Sequence, residues 1–213
     1  MYDFLTARCN FRCPFCHNAS LVTHVDAAAA ISEEEVFSFL AKRQGILDGV
    51  CITGGEPLLQ PDIEEFIRKV KELGYQVKLD TNGSNVLRLR RLVEQGLVDY
   101  VAMDIKNAPD KYGMTIGIEE YDMSNTFFRV WNFLMSGDVP YEFRTTVVRQ
   151  FHKREDFAAI GRWIKGAKQY YLQSFVDSGD LICPGMKGYT KEIMEQALEI
   201  VKRNIPNAKL RGV

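Results

Sequence analysis

The chain has 213 residues, 46% hydrophobic and 26% charged, with a net charge of -1, which suits one globular domain over residues 1–213 with a sizeable core. So balanced a charge excludes bulk electrostatic capture by nucleic acid or an anionic membrane surface. No apolar run approaches the roughly 20 residues that span a bilayer, and Met1-Tyr2-Asp3 lacks the basic start of a signal peptide, so a cytoplasmic protein is expected.

Short apolar runs alternate with amphipathic stretches, the pattern of repeated βα units and of a parallel sheet buried on both faces. The runs fall at residues 2–7, 50–53, 76–80, 98–103, 141–148 and 169–175. Between them, Ser32-Glu33-Glu34-Glu35 reads as a capping box, followed by Val36, Phe39 and Leu40 on one helix face. Pro61 and Asp62 open a second helix, whose face is Ile63, Phe66, Ile67 and Val70 and whose stop is Gly74. Residues 86–95 form a third, closed by Gly96, and 125–135 and 156–165 are the next two. The last covers 190–203, closed by Pro206 before a short Lys209-Leu210-Arg211 tail. Residues 107–123 are the least periodic: either a function-bearing loop at a strand end or a plain surface loop.

Three of the five cysteines, Cys9, Cys13 and Cys16, lie in one Cys-Asn-Phe-Arg-Cys-Pro-Phe-Cys run. Clustered cysteines in a cytosolic chain point to metal or redox chemistry rather than disulfides. Three thiolates on three irons of a [4Fe–4S] cluster leave the fourth iron open to a small molecule. The competing reading is zinc, which usually takes four ligands, often as paired C-x2-C units. Here there is a single C-x2-C, and His17 directly follows Cys16, a strained place from which to chelate the same ion. Cys51 sits in an apolar run and reads as a core residue, and Cys183 in Ile182-Cys183-Pro184-Gly185 as a loop cysteine.

Four later segments sit at strand ends or in a strand. Thr53-Gly54-Gly55-Glu56-Pro57 follows the second run: its glycines let the backbone approach a ligand, and Glu56 can accept hydrogen bonds from an ammonium group. Asp80-Thr81-Asn82-Gly83 groups three polar side chains in one turn. Asp104 and Lys106 alternate, so both point the same way, as an ion pair or as site residues. Arg144 is a charge within a buried run, matched to a ligand carboxylate or to a strand-end acid.

Together these motifs resemble the radical S-adenosylmethionine (SAM) enzymes, and within them the small activating enzymes that place a radical on a glycine of a partner. The resemblance spans nearly the whole chain, and its final segment looks like the end of the anaerobic ribonucleoside-triphosphate reductase activating group. It implies an α/β fold, a partial (β/α)6 barrel in a single domain, with Cys9, Cys13 and Cys16 on a [4Fe–4S] cluster and Phe15 beside the SAM adenine. Gly54, Gly55 and Glu56 would bind the SAM amino group, while Asp80, Thr81 and Asn82 would lie by its methionine and ribose. Asp80 and Asp104 would share a monovalent cation, Lys106 would face the developing site, and Arg144 would bind the SAM carboxylate or ribose. The implied reaction is reductive cleavage of SAM to methionine and a 5′-deoxyadenosyl radical. The implied partners are a glycyl-radical enzyme, such as anaerobic ribonucleotide reductase or pyruvate formate-lyase, and a flavodoxin or ferredoxin-type electron donor. A small-molecule radical SAM enzyme such as 7-carboxy-7-deazaguanine synthase, a zinc-binding module and a scaffold that no longer cleaves SAM are the rivals. Two features depart from the family: Arg8 stands where a glycine is usual, and only eight residues precede Cys9, which puts an incomplete first strand and an unclosed barrel among the expectations.

Overall fold

The computed structural model describes residues 1–26, 30–121 and 123–213, without the side chains of 123–128; Asp122, within the aperiodic 107–123 stretch, lies outside the described residues. One sheet runs β1 (Tyr2–Thr6), β2 (Gly49–Gly54), β3 (Gln76–Thr81), β4 (Tyr100–Asp104), β5 (Tyr141–Val147), β6 (Tyr170–Ser174) and β7 (Lys209–Arg211), in that spatial order and parallel throughout. The six apolar runs are the first six strands. The seventh is the Lys209–Arg211 tail, three residues too few to show a period of their own but placed by the pairs Tyr171–Lys209 and Gln173–Arg211. β1 pairs with β2 in register from Tyr2–Val50 to Thr6–Gly54.

The helices are α1 (Ala19–Thr23), α2 (Glu33–Ala41), α3 (Ile63–Glu72), α4 (Val86–Glu94), α5 (Tyr112–Ile116), α6 (Met123–Ser136), α7 (Arg154–Trp163) and α8 (Lys191–Lys202). The capping box of α2 forms as predicted: the Glu35 N–H donates to Ser32 Oγ at 3.2 Å, and the Ser32 N–H to the Glu35 carboxylate at 3.1 Å. α7 starts two residues before its periodicity suggests, because Asp156 caps from inside the first turn, accepting the Lys153 N–H at 2.7 Å. The aperiodic stretch folds into a 3-10 turn at Pro109–Lys111 and then α5, which ends on Gly117 at φ +71°. Among the described residues no helix is long and apolar enough to cross a membrane.

The strands are parallel and follow one another in sequence order, and the right-handed crossovers that parallel strands take place the connecting helices on one face, with the sheet curling around the other. The short α1 and α5 lie instead at the strand ends, with Val22 in the cavity wall and the Ile116 carbonyl bonded to the cysteine loop. The product is a partial (β/α) barrel: among the described residues β1 and β7 are not neighbours, so the strand circuit stays open between them. Alternation along the strands separates the faces. Ile52, Val77, Leu79, Val101, Met103, Phe143, Val147, Tyr170 and Leu172 point to the helices and are fully buried, each burial worth about 1.5–3 kcal/mol. The concave face is largely buried as well but polar in character. Its registered positions carry Cys51, Lys78, Asp80, Asp104, Glu142, Arg144, Gln173 and Arg211.

β7 is held to this concave face by charge. Arg211 grips the buried Glu142 carboxylate with two bonds, at 2.8 and 3.0 Å, and its guanidinium lies 3.8 Å over the Tyr171 ring. Arg211→Ala strands that carboxylate with the Tyr100 hydroxyl, 3.2 Å away, and is expected to lower stability by about 2 kcal/mol in urea unfolding.

Candidate functional site

The segment between β1 and α1 carries the three cysteines, and buried aromatic residues between them fasten it down. Phe11 meets Tyr121 edge-on at 5.6 Å, and Phe15 lies against Phe151 at 5.5 Å. The Arg12 N–H donates to the Ile116 carbonyl at 2.8 Å. The described part of the 107–123 stretch is thus the bed on which the cysteine loop lies. On the other side, the Gly55 N–H donates to the Thr6 carbonyl at 2.7 Å and the Glu56 N–H to the Arg8 carbonyl at 2.8 Å. The approach is so close that a Cβ on Gly55 would lie 1.9 Å from the Arg8 oxygen. Arg8 takes φ +68°, alone among the described non-glycine residues, at a cost of about 1–2 kcal/mol. A glycine at this position, as the family resemblance leads one to expect, would meet no such cost.

These contacts build one cavity of about 260 Å3 at the C-terminal ends of the strands. Twelve of the thirteen predicted site residues line it. The cysteine loop contributes Cys9, Cys13, Phe15 and Cys16, and the turn after β2 contributes Gly54 and Gly55. Asp80, Thr81 and Asn82 come from the end of β3, Asp104 and Lys106 from that of β4, and Arg144 from β5. Phe11, His17, Asn18, Val22, Thr53, Thr146 and Gln173 complete the wall, none of them among the thirteen residues predicted for the site. Thr146 could have been found two residues after Arg144, on the same strand face. Gln173 gave no signal, since its place depends on the register of β6.

Glu56 is the exception: the structure places it outside the cavity lining. It is fully buried, and both carboxylate oxygens accept hydrogen bonds. Oε1 accepts from the Leu58 N–H at 3.1 Å and the Thr81 hydroxyl at 2.8 Å, and Oε2 from the Asn82 N–H at 2.7 Å. Burial pushes its pKa up to about 7 in spite of these three donors.

Arg144 also departs from expectation. Of its two readings the structure takes the strand-end acid: its guanidinium meets Asp104 at 2.6 Å through Nε and Asp80 at 2.8 Å through Nη1. Lys78 pairs with Asp80 from the far side, and Lys106 with Asp104 at 2.7 Å. The result is a ladder across three strands, Lys78–Asp80–Arg144–Asp104–Lys106, with three cations, two anions and so one net positive charge. The point between the two carboxylates, where a monovalent cation was expected, is filled by the guanidinium. Burial works against charge on Asp104, yet Arg144 and Lys106 hold its carboxyl well below the usual range. Burial likewise opposes charge on Lys106, and Asp104 holds its pKa above the usual lysine value.

The thiols are buried to different degrees. Burial pushes Cys13 up to about 12 and Cys9 upward too, with Lys106 pulling both the other way, so a metal must displace a proton to bind there. No set of three or more His, Cys, Asp or Glu side chains among the described residues is arranged to hold a single metal ion. A [4Fe–4S] cube makes a different demand, one thiolate on each of three irons. Three thiols on one loop around a shared cavity fit that group. Opposite them, Gln173 Oε1 is buried without a hydrogen-bond partner among the described residues, an acceptor left for a ligand's donor.

Two expectations follow. Arg144→Met should leave two part-buried carboxylates facing each other and cost about 3 kcal/mol in urea unfolding, with Arg144→Lys recovering only part because a single nitrogen must replace the Nε and Nη1 that now serve Asp104 and Asp80 separately. Glu56 has a folded pKa above its unfolded value, so its stabilising contribution is complete below about pH 4.5 and is lost as pH rises to about 7. His17 and His152, lowered by burial, tilt the curve the other way below pH 6.5, so the readout is a difference. From pH 4.5 to 7, urea midpoints of Glu56→Gln should fall less, or rise more, than those of the parent chain.

Residues 4–127, more than half of the chain, match the pattern of the Radical SAM superfamily. The Methanocaldococcus jannaschii protein named "Putative glycyl-radical enzyme activating enzyme" is 34% identical, with 96% of this chain and 86% of that protein aligned. A Thermococcus kodakarensis protein named "Probable GTP 3',8-cyclase" is 30% identical over 54% of this chain and 38% of its own length. Among solved structures, Streptococcus suis SuiB bound to S-adenosylmethionine superposes with a TM-score of 0.77 at 14% identity, covering 99% of this chain and 50% of SuiB. A radical SAM methyltransferase from Sphaerobacter thermophilus gives 0.75 at 13% identity, covering 99% of this chain and 66% of that one. This chain thus spans about half the length of SuiB, and likeness at such identity speaks for the fold alone. Pattern, full-length relative and barrel agree: the chain belongs to the radical SAM superfamily and is an enzyme of that class.

Proposed function

We propose that this enzyme activates a glycyl-radical enzyme, with anaerobic ribonucleotide reductase as the first candidate partner. The observation that carries the reading is the likeness to the M. jannaschii activating-enzyme homologue along 96% of the chain. The local Asp80-Thr81-Asn82-Gly83 and Asp104-Ile105-Lys106 segments support it over a small-molecule enzyme of the deazaguanine-synthase kind.

Cys9, Cys13 and Cys16 would hold the [4Fe–4S] cluster, and SAM would bind beside it in the same cavity. When bound, cluster and SAM supply a one-electron reductive cleavage and, from it, the abstraction of a hydrogen atom. The chain's own residues hold, orient and exclude. Gly54 and Gly55 lack the side chains that would keep backbone and ligand apart. The net positive ladder ending at Lys106 offers a counter-charge to a carboxylate, and Phe11 and Phe15 keep water from the loop side. Lys106 stays protonated, so its part is to hold charge rather than to move a proton. The gap between β1 and β7 gives a peptide loop a way to the concave face, and a glycine Cα radical formed there is stabilised by its flanking amides. A flavodoxin or ferredoxin-type protein is the proposed electron donor, and pyruvate formate-lyase the alternative partner.

The test is anaerobic reconstitution, then dithionite and SAM, following 5′-deoxyadenosine. The parent chain should form it, and Cys13→Ser should fall to background. Mixing with purified anaerobic ribonucleotide reductase, then pyruvate formate-lyase, should produce a glycyl-radical signal in electron paramagnetic resonance. 5′-Deoxyadenosine without a radical on either partner, but with turnover of a pterin substrate, would overturn the reading in favour of the small-molecule class.

A further inference from the structure

The sulfur of Cys9 is held differently from its two neighbours. It accepts the Phe11 N–H at 3.4 Å and the side-chain amide of Asn82 at 3.7 Å. Among the described residues it is the one sulfur of the cysteine run that accepts a hydrogen bond. The Asn82 contact is over-determined. Its Oδ1 accepts the Ser84 N–H at 2.9 Å, which turns the amide so that Nδ2 faces the cysteine loop. One Nδ2 hydrogen then goes to Asn10 Oδ1 at 2.8 Å and the other to the sulfur. The Asn82 backbone is anchored in turn, its N–H on the buried Glu56 carboxylate at 2.7 Å, and the residue is 5% exposed. An amide gripped at both ends and beside a thiol is poorly placed to swing toward a small ligand.

We propose that Asn82 acts on the iron–sulfur cluster, as the side chain that positions Cys9 and tunes the cluster's reduction potential, rather than as a SAM contact. This rests on the assignment of Cys9 to a cluster. A hydrogen bond to a thiolate ligand withdraws electron density from sulfur and stabilises the form with the extra electron, raising the potential. Two donors on the Cys9 sulfur would make the three cysteine ligands electronically unequal. The amide, fixed through Ser84 and Glu56, ties that effect to the turns after β2 and β3, which also form the cavity wall.

The test uses the reconstituted full chain without SAM. A redox titration with dithionite is followed by electron paramagnetic resonance of the reduced cluster, and SAM binding is measured separately by equilibrium dialysis. Asn82→Leu keeps the volume and removes both donors. About tenfold less of its cluster should be reduced at a fixed poise, which is about 59 mV for a one-electron couple, while its affinity for SAM changes less than threefold. Asn82→Ala gives the same comparison if leucine packs badly. An unchanged potential with SAM affinity reduced tenfold or more would overturn the proposal and return Asn82 to the SAM side. A folded variant pair that takes up no cluster supports it, since a residue serving SAM alone is not needed to build the cluster. If the parent chain itself assembles no [4Fe–4S] cluster, it is the cysteine assignment that fails, a result read before any variant is compared.

Discussion

One buried carboxylate organises the mouth of this barrel. Glu56 gathers donors from its own turn and from the turn after β3, and its backbone N–H is bonded to the carbonyl of Arg8. Three segments far apart in sequence are thereby set against one another. A parallel sheet gives its strand-end loops no backbone ladder of their own, so something must satisfy the polar groups where they meet. A side chain able to accept several donors does that in the least space. The arrangement has an electrostatic cost, visible in the raised pKa, which the hydrogen bonds offset only in part.

The charge ladder solves a related problem one layer below. Five ionised side chains on adjacent strands would repel or strand one another without alternation of sign. Register supplies it: Arg144 stands directly opposite Asp104, and Asp80 lies on the next strand within reach of the same guanidinium. The planar fork gives each carboxylate a nitrogen of its own, Nε to Asp104 and Nη1 to Asp80, in one fixed geometry. The floor is therefore stiff and carries its own counter-cation, which bears on ligand binding: a ligand carboxylate finds a net positive surface and needs no loose ion to neutralise the two aspartates.

Much of this was legible in the sequence, and the parts that were not share one cause. The first six strands could be read because their outward-facing positions are apolar and their lengths ordinary. The cysteine loop and the strand-end polar groups could be read because their spacing is local. β7 was hidden because its three residues are held by pairing and by the Arg211–Glu142 contact, neither of which leaves a period. The direction of Glu56 was hidden because a carboxylate in a turn can face a ligand or the interior with equal local logic; burial against Thr81 decides it. Arg144 was half legible: a charge in a buried strand asks for a partner, but naming the partner takes the register of three strands. Gln173 was invisible for the same reason.

Strand pairing leaves the barrel open between β1 and β7, yet its mouth is closed by other means. The segment after β6 reaches across to the cysteine loop. Cys183, read from sequence as a plain loop residue, donates its N–H to the Pro14 carbonyl at 2.8 Å. Asp180 takes the Ser20 hydroxyl at 2.7 Å and its N–H at 3.1 Å, and His17 lies on the Phe175 ring at 5.0 Å. Loops thus join the two ends of the sheet above the site where strands do not join them below. The unpaired edges beneath would invite pairing with another chain if they were long and apolar. β7 is three residues and carries Lys209 and Arg211, charges that disfavour such pairing, whereas β1 shows Tyr2 and Leu5 to solvent beside Asp3. The cysteine loop above is held by its own loop contacts, independently of either strand edge.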